Sequence, residues 1–159
     1  MTEDAKFEDG DDRPLKLIAA DTEDLQVISA LVQDAVLPAS EMKYEPSKRR
    51  FVLLLNRFRW EDQSRAAQRR RAYERVRSIL MFEDVAGVSS QGIQRDDPET
   101  VFSLLSIGWE AREDGVGQLV LTLAGDGAIA LDVECVNVTL QDVTRPYVAP
   151  SGKAPEHPE

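Results

Sequence analysis

The sequence predicts an α+β fold in which one N-terminal amphipathic helix packs on a twisted antiparallel sheet of six to eight strands, curled into a roll, barrel or sandwich. Three observations carry this reading. Apolar residues repeat at helical spacing only once, early, before Pro38. After that proline the period is two in one segment after another. Turn-forming residues separate those segments, most clearly Gly125-Asp126-Gly127 between LVLTLA and AIALDV, a good hairpin signal.

Along the chain, Leu15 to Ile18 reads as a short strand. The helix follows. Asp21 or Thr22 can cap it, and Glu23 and Asp24 suit the positive end of its dipole. Leu25, Ile28, Leu31, Val32, Ala35 and Val36 form its apolar stripe, which Pro38 stops. Strands are then predicted at Met42 to Glu45, Arg50 to Trp60, Tyr73 to Glu83, Val85 to Ile93, Val101 to Trp109 and Gln118 to Leu123. A last one, Ala128 to Val143, is long enough to break or bend into two. Asp96-Asp97-Pro98 and Asp114-Gly115 supply further turns. A faint repeat also runs through the chain. FVLLLNRFRWE (51–61) resembles TVFSLLSIGWE (100–110), and LMFEDV (80–85) resembles LDVECV (131–136), which suggests two pseudo-symmetric halves.

A chain of 159 residues is one domain by default and can bury about 70% of its unfolded surface without a disulfide or metal. The folded unit is expected at 14–146, between an acidic disordered tail at 1–13 and a Pro-rich tail at 147–159. The longest apolar run, Phe51 to Leu55, is far too short for a membrane span. The acidic first residues do not read as a signal peptide. With Cys135 the only cysteine, no internal disulfide can form, and a cytoplasmic location is expected.

The usual nucleophilic chemistries lack their residues. The single histidine, His157, sits in the Pro-rich tail, and Cys135 reads as a buried structural thiol in a strand. Neither a zinc-ligand spacing nor a calcium loop, phosphate loop or dinucleotide fingerprint is present, so no cofactor, metal or catalytic residue is assigned. Paired carboxylates are the remaining route to an enzyme. Glu83 and Glu134 hold matching places in the repeat, and two close carboxylates can do acid–base work; otherwise each pairs with an arginine or faces water.

The formal charge of -10 hides two zones. Between Lys43 and Arg77 stand 12 Lys and Arg against 4 Asp and Glu, and the remainder is strongly acidic. Alternation puts Arg57 and Arg59 on one face of their strand, and Arg75 and Arg77 on one face of the next. A hairpin would let all four converge, with Arg69, Arg70 and Arg71 in the loop between them. Such a cluster wants a counter-charge: the protein's own acidic surface, an acidic protein partner, or the phosphates of a nucleic acid or nucleotide. The overall negative charge disfavours long nucleic acids. The sequence therefore suggests a non-catalytic interaction module, with a small carboxylate enzyme as the alternative.

LQVISALVQDAVL, RRFVLLLNRFRWE, RRRAYERVRSILMFEDV and AIALDVECVNVTLQDV, followed by a tail containing Pro and His, resemble an uncharacterised bacterial family known as domain of unknown function 2948. The resemblance runs from about Leu15 to His157. It implies a single-domain bacterial cytosolic protein and carries over no activity, substrate or catalytic residue. The Gln33-Asp34 pair at the end of the amphipathic helix has a functional reading, but helix-end polarity is the simpler account.

Overall fold

The structure, a computed structural model, describes residues 14–60, 74–93 and 97–148. The acidic tail, the segment carrying Arg69 to Arg71, and His157 lie outside the described residues. The α+β class holds in outline, with one α-helix and a far larger antiparallel sheet among those residues.

The helix is the second element, after the short strand expected at Leu15 to Ile18. Strand β1 (Lys16–Ala19) precedes it, and α1 spans Thr22–Leu31. Asp21 caps α1 by accepting from the Asp24 amide at 2.8 Å, and Glu23 and Asp24 occupy the first turn as expected. The helix ends earlier than its periodicity suggests. Asp34 takes a left-handed conformation (φ 65°), and Ala35–Pro38 become strand β2. Tertiary pairing wins over local pattern here, because β2 bonds to two strands that lie far along the chain.

The other strands are β3 (Met42–Glu45), β4 (Arg50–Phe58), β5 (Glu74–Glu83), β6 (Val85–Gln91), β7 (Val101–Ala111), β8 (Gly117–Leu123), β9 (Gly127–Val133), β10 (Val138–Asp142) and β11 (Tyr147–Val148). The sheet thus has 11 strands rather than six to eight. The excess has plain sources. The last predicted strand does break in two, at residues 134–137; β2 replaces a helical turn; and β11 forms where a tail was expected.

The hydrogen-bonded order is β1-β10-β5-β4-β2-β7-β8-β9-β6, with β3 added to β4 and β11 to β5. Two connections force this long sheet to roll up. Asp84 alone joins β5, near one end of the order, to β6 at the other end. Residues 134–137 make the reciprocal crossing from β9 to β10. The two strand pairs β5–β10 and β9–β6 therefore meet at one corner. The roll does not close into a barrel, because β1 and β6 remain its unpaired ends.

The crossing corners are the segments LMFEDV and LDVECV that match in sequence. The other matched pair, β4 and β7, flanks β2 on its two sides. The halves are nevertheless not equivalent strand for strand. β4 leads directly to β5, whereas β7 reaches β9 only through β8.

One apolar cluster fills the roll. It is built from the inward residues of nearly every strand and from Leu25, Ile28 and Leu31 of α1, which packs on β1 and β7. A bulge between Leu104 and Ser106 turns the Ile107 amide toward α1, where it donates to Ser29 Oγ at 2.9 Å.

At the β7–β8 pair, Gly117 leaves the space that the Trp109 ring fills, and any added Cβ would collide with that ring and with the Glu110 carbonyl oxygen. Gly117→Ala is expected to destabilise the fold by about 1–3 kcal/mol, the usual cost of overpacking. Urea unfolding with Trp109 fluorescence would measure it, and an unchanged midpoint would show that the ring moves aside freely.

Candidate functional site

The register of β4 against β5 decides where the arginines go. Arg57 lies opposite Val76, Asn56 opposite Arg77, and Phe58 opposite Arg75. Directly paired residues share a face of the sheet. Arg57 therefore points into the roll with Val76 and Ser78, while Arg75 and Arg77 point outward. The four strand arginines do not converge. Alternation assigned the faces within each strand correctly, but it could not fix the register between them.

Arg57 is fully buried. Its Nη2 donates to both Asp142 carboxylate oxygens at 3.0 and 3.2 Å, and its Nε donates to Asp142 Oδ1 and Ser78 Oγ at 3.2 and 3.1 Å. Ser78 Oγ donates to Asp142 Oδ1 at 2.7 Å, and the Leu15 amide donates to Asp142 Oδ2 at 3.0 Å. Arg57 Nη1 reaches the Phe58 carbonyl at 3.1 Å. Arg59 is also buried, with Nη1 2.7 Å from Glu74 Oε1. Both arginines are engaged with the protein's own acids, the first of the three readings of the cluster.

Arg75 and Arg77 differ. The Arg75 guanidinium lies 4.6 Å from the centre of the Phe58 ring, and its buried Nε has no hydrogen-bond partner among the described residues. Arg77 is exposed. They belong to a continuous outer face across β1, β10, β5, β4 and β3. One row of that face reads Ile18, Thr139, Met81, Val52, Lys43; the next reads Lys16, Gln141, Ile79, Leu54. Val52, Leu54, Ile79 and Met81 are half-buried at its centre. Around them stand Lys16, Lys43, Arg50, Arg75 and Arg77. The acids of this face are Glu45, paired with Lys43 and Lys48, and Glu83, paired with Arg50. The sequence did not point to Lys16 or to the apolar centre, because neither is visible until the register is known.

Glu83 and Glu134 come to the same crossing corner but in ion pairs, with Arg50 at 3.3 Å and with Arg49 at 3.1 Å. Asp84, left-handed at φ 59°, organises the corner. It accepts from Asn137 Nδ2 at 3.1 Å and from the Cys135 thiol at 3.5 Å, and its carbonyl accepts from the Glu134 amide at 3.1 Å. Cys135 is exposed in the connection between two strands, not buried within one, because the chain leaves the sheet there to cross over. Desolvation first, then the hydrogen bond to Asp84 and the charges of Asp84 and Glu134, push its pKa up. The group is a protonated thiol at neutral pH, a poor nucleophile. Among the described residues, no group of three or more His, Cys, Asp and Glu side chains is placed to hold a metal ion, and no helix is long and apolar enough to cross a membrane.

The molecule is thus a rolled antiparallel α+β protein with a basic-rimmed outer face. Residues 15–157 match the family described as "Protein of unknown function (DUF2948)", and the chain belongs to that family. Comparison with curated proteins and with solved structures finds no match.

Two outcomes follow from these contacts. Arg57→Ala or Asp142→Ala strands a buried charge and should cost about 3–5 kcal/mol, whereas the apolar double replacement Arg57→Met with Asp142→Leu should recover most of that loss. Chemical denaturation of the three variants checks this; a double variant no better than either single would contradict it. At the corner, Asp84→Asn removes a charge that disfavours the Cys135 thiolate. It should therefore speed alkylation of Cys135 by iodoacetamide at pH 8, and an equal or slower rate would count against the assigned cause.

Proposed function

We propose that this protein is a non-catalytic binding module whose outer sheet face docks an acidic, amphipathic protein segment. The observation that carries the reading is the composition of that face. An apolar centre of Val52, Leu54, Ile79 and Met81 is rimmed by Lys16, Lys43, Arg75 and Arg77, on a chain whose formal charge is -10. A half-buried apolar patch with a charged rim is the common anatomy of a protein interface. The excess of one sign selects a partner of the other. Arg75 is held in place by the Phe58 ring, which lowers the cost of immobilising it in a complex.

Arg69, Arg70 and Arg71 stand in sequence between β4 and β5, outside the described residues, and as candidate partner-binding residues they add to the positive charge of this part of the chain. Arg57 and Arg59 support it from behind: their internal pairs hold the β4–β5 register that presents Arg75 and Arg77. Glu83 and Glu134 have no part in acid–base chemistry on this reading, since each is matched to an arginine.

The test uses a fluorescent peptide that alternates Glu with Leu or Phe, titrated with the full chain. Binding should weaken as ionic strength rises, because exposed charges are screened within about 10 Å at 0.1 M salt. The triple change Lys16→Glu, Lys43→Glu and Arg77→Glu touches only exposed residues and should abolish binding with the melting curve nearly unchanged. A wild-type protein that ignores the peptide, or a variant that binds it as well, would overturn the proposal. Tighter binding of an oligothymidylate than of the peptide would transfer the face to phosphate recognition.

A further inference from the structure

The interior of the roll holds a second feature, independent of the basic face. At the start of β4 and β7 a cavity of about 310 Å³ opens between the two walls of the sheet. Phe51, Phe102 and Ile129 contribute from the walls, Met42 and Tyr44 from β3, and Val88 and Ser90 from β6. None of its lining residues is charged, and Tyr44 and Ser90 supply the polar side-chain groups. The Tyr44 hydroxyl has no hydrogen-bond partner among the described residues.

Protein interiors rarely leave voids larger than a water molecule. This partly open cavity has the volume of about ten waters at roughly 30 Å³ each, and its mostly apolar wall offers them few hydrogen-bond partners. An apolar cavity of about 150 Å³ accommodates one benzene ring, so twice that volume suits about two six-membered rings or a branched aliphatic group of similar bulk. Burying an ionised group against this wall would strip its water and return no counter-charge. Its backbone frame is also rigid. Gly92, at φ +68°, lies so close to the Asp126 carbonyl and the Gly127 Cα that a Cβ would clash there, and this contact clips the end of β6 to the β8–β9 hairpin beside the lining residue Ile93.

We infer that this cavity is a binding site for an uncharged, largely apolar small molecule of about two rings, whose hydrogen-bonding group is met by Tyr44 or Ser90. The comparison groove between α1 and β7 lacks these properties. It is shallower, and Gln26, Ser29 and Gln33 make up half of its lining beside Ala30, Leu105 and Ile107.

The probe is N-phenyl-1-naphthylamine, uncharged and of the right size, titrated into the full chain by fluorescence. A saturable enhancement at one site per chain is expected. Val88→Phe and Ala39→Phe, which project bulk into the cavity, should each weaken the probe by at least about tenfold. Arg77→Glu, on the outer face, should leave it unchanged, which separates this site from the basic surface. The sulfonated analogue 1-anilinonaphthalene-8-sulfonate should bind more weakly than the neutral probe. In methyl spectra of the wild-type protein, the neutral probe should move Met42, Ile93 and Ile129, and this readout stands even if a filled variant fails to fold. The inference is overturned by the absence of saturable enhancement, by unaltered binding in both folded variants, by equal or tighter binding of the sulfonate, or by shifts confined to exposed methyls such as Ile18 and Val101.

Discussion

An arginine without access to water must be matched completely or not be there at all, and Arg57 is matched by groups from several strands at once. Asp142 comes from β10, Ser78 from β5, and the Leu15 amide closes the network from the start of β1. A slip of β4 by one residue against β5 would turn Arg57 to the outside and leave the Asp142 carboxylate buried without its cation. Such a slip also turns Phe51, Leu53 and Leu55 out of the core. Apolar burial alone would penalise odd slips but tolerate a shift of two residues. The guanidinium–carboxylate geometry penalises both, since a two-residue shift moves Arg57 away from Ser78 and Asp142. The pair contributes specificity of register more than net stability, because desolvating both charges consumes most of what their attraction returns.

That division explains which parts of the fold the sequence made legible. Where a hairpin turn is short, register is local information. Gly125-Asp126 closes β8 onto β9 with Leu123 opposite Gly127, and the turn residues announce it. Between β4 and β5 stand the fifteen residues 59–73, a spacing that fixes no register. The period-two pattern of RFRW then gave the two faces of β4 but not which of them was inside. Phe58 and Trp60 look like the core face, yet Arg57 and Phe58 are both buried, one inward and one beneath the Arg75 guanidinium. Sequence can show that arginines alternate. Only the partner strands show what they alternate between.

The two other departures from expectation have the same origin in long-range pairing. Ala35 and Val36 fit the helical stripe of α1 well, but strand β2 gives them backbone partners in β7 and β4, and the left-handed Asp34 makes the break. Cys135 fits a strand pattern equally well, but it stands where the chain leaves β9 to cross to β10. The faint match of LMFEDV to LDVECV was the one sign of that corner in the sequence. It marked the two segments that cross, although the strands on either side of them are not related by a single symmetry.

Strand β3 shows how two surfaces of opposite chemistry are made by four residues. Met42 and Tyr44 face Leu53 and Phe51 on the inner side and line the cavity, while Lys43 and Glu45 face Val52 and Arg50 on the outer side. The sequence Met-Lys-Tyr-Glu is therefore not a strand with a wet face and a dry core face. Its apolar side borders a cavity as well as packed core, so its large side chains stop short of filling the space. Its polar side borders an apolar patch as well as water, so the exposed Lys43 sits at a rim. The half-buried state of Met42, Tyr44 and Glu45, poor by the standards of a core strand, is what this double boundary requires. It also separates the two chemistries cleanly. At this strand charge is confined to the outer side, with Lys43 and Glu45, and the cavity behind it is left to uncharged groups.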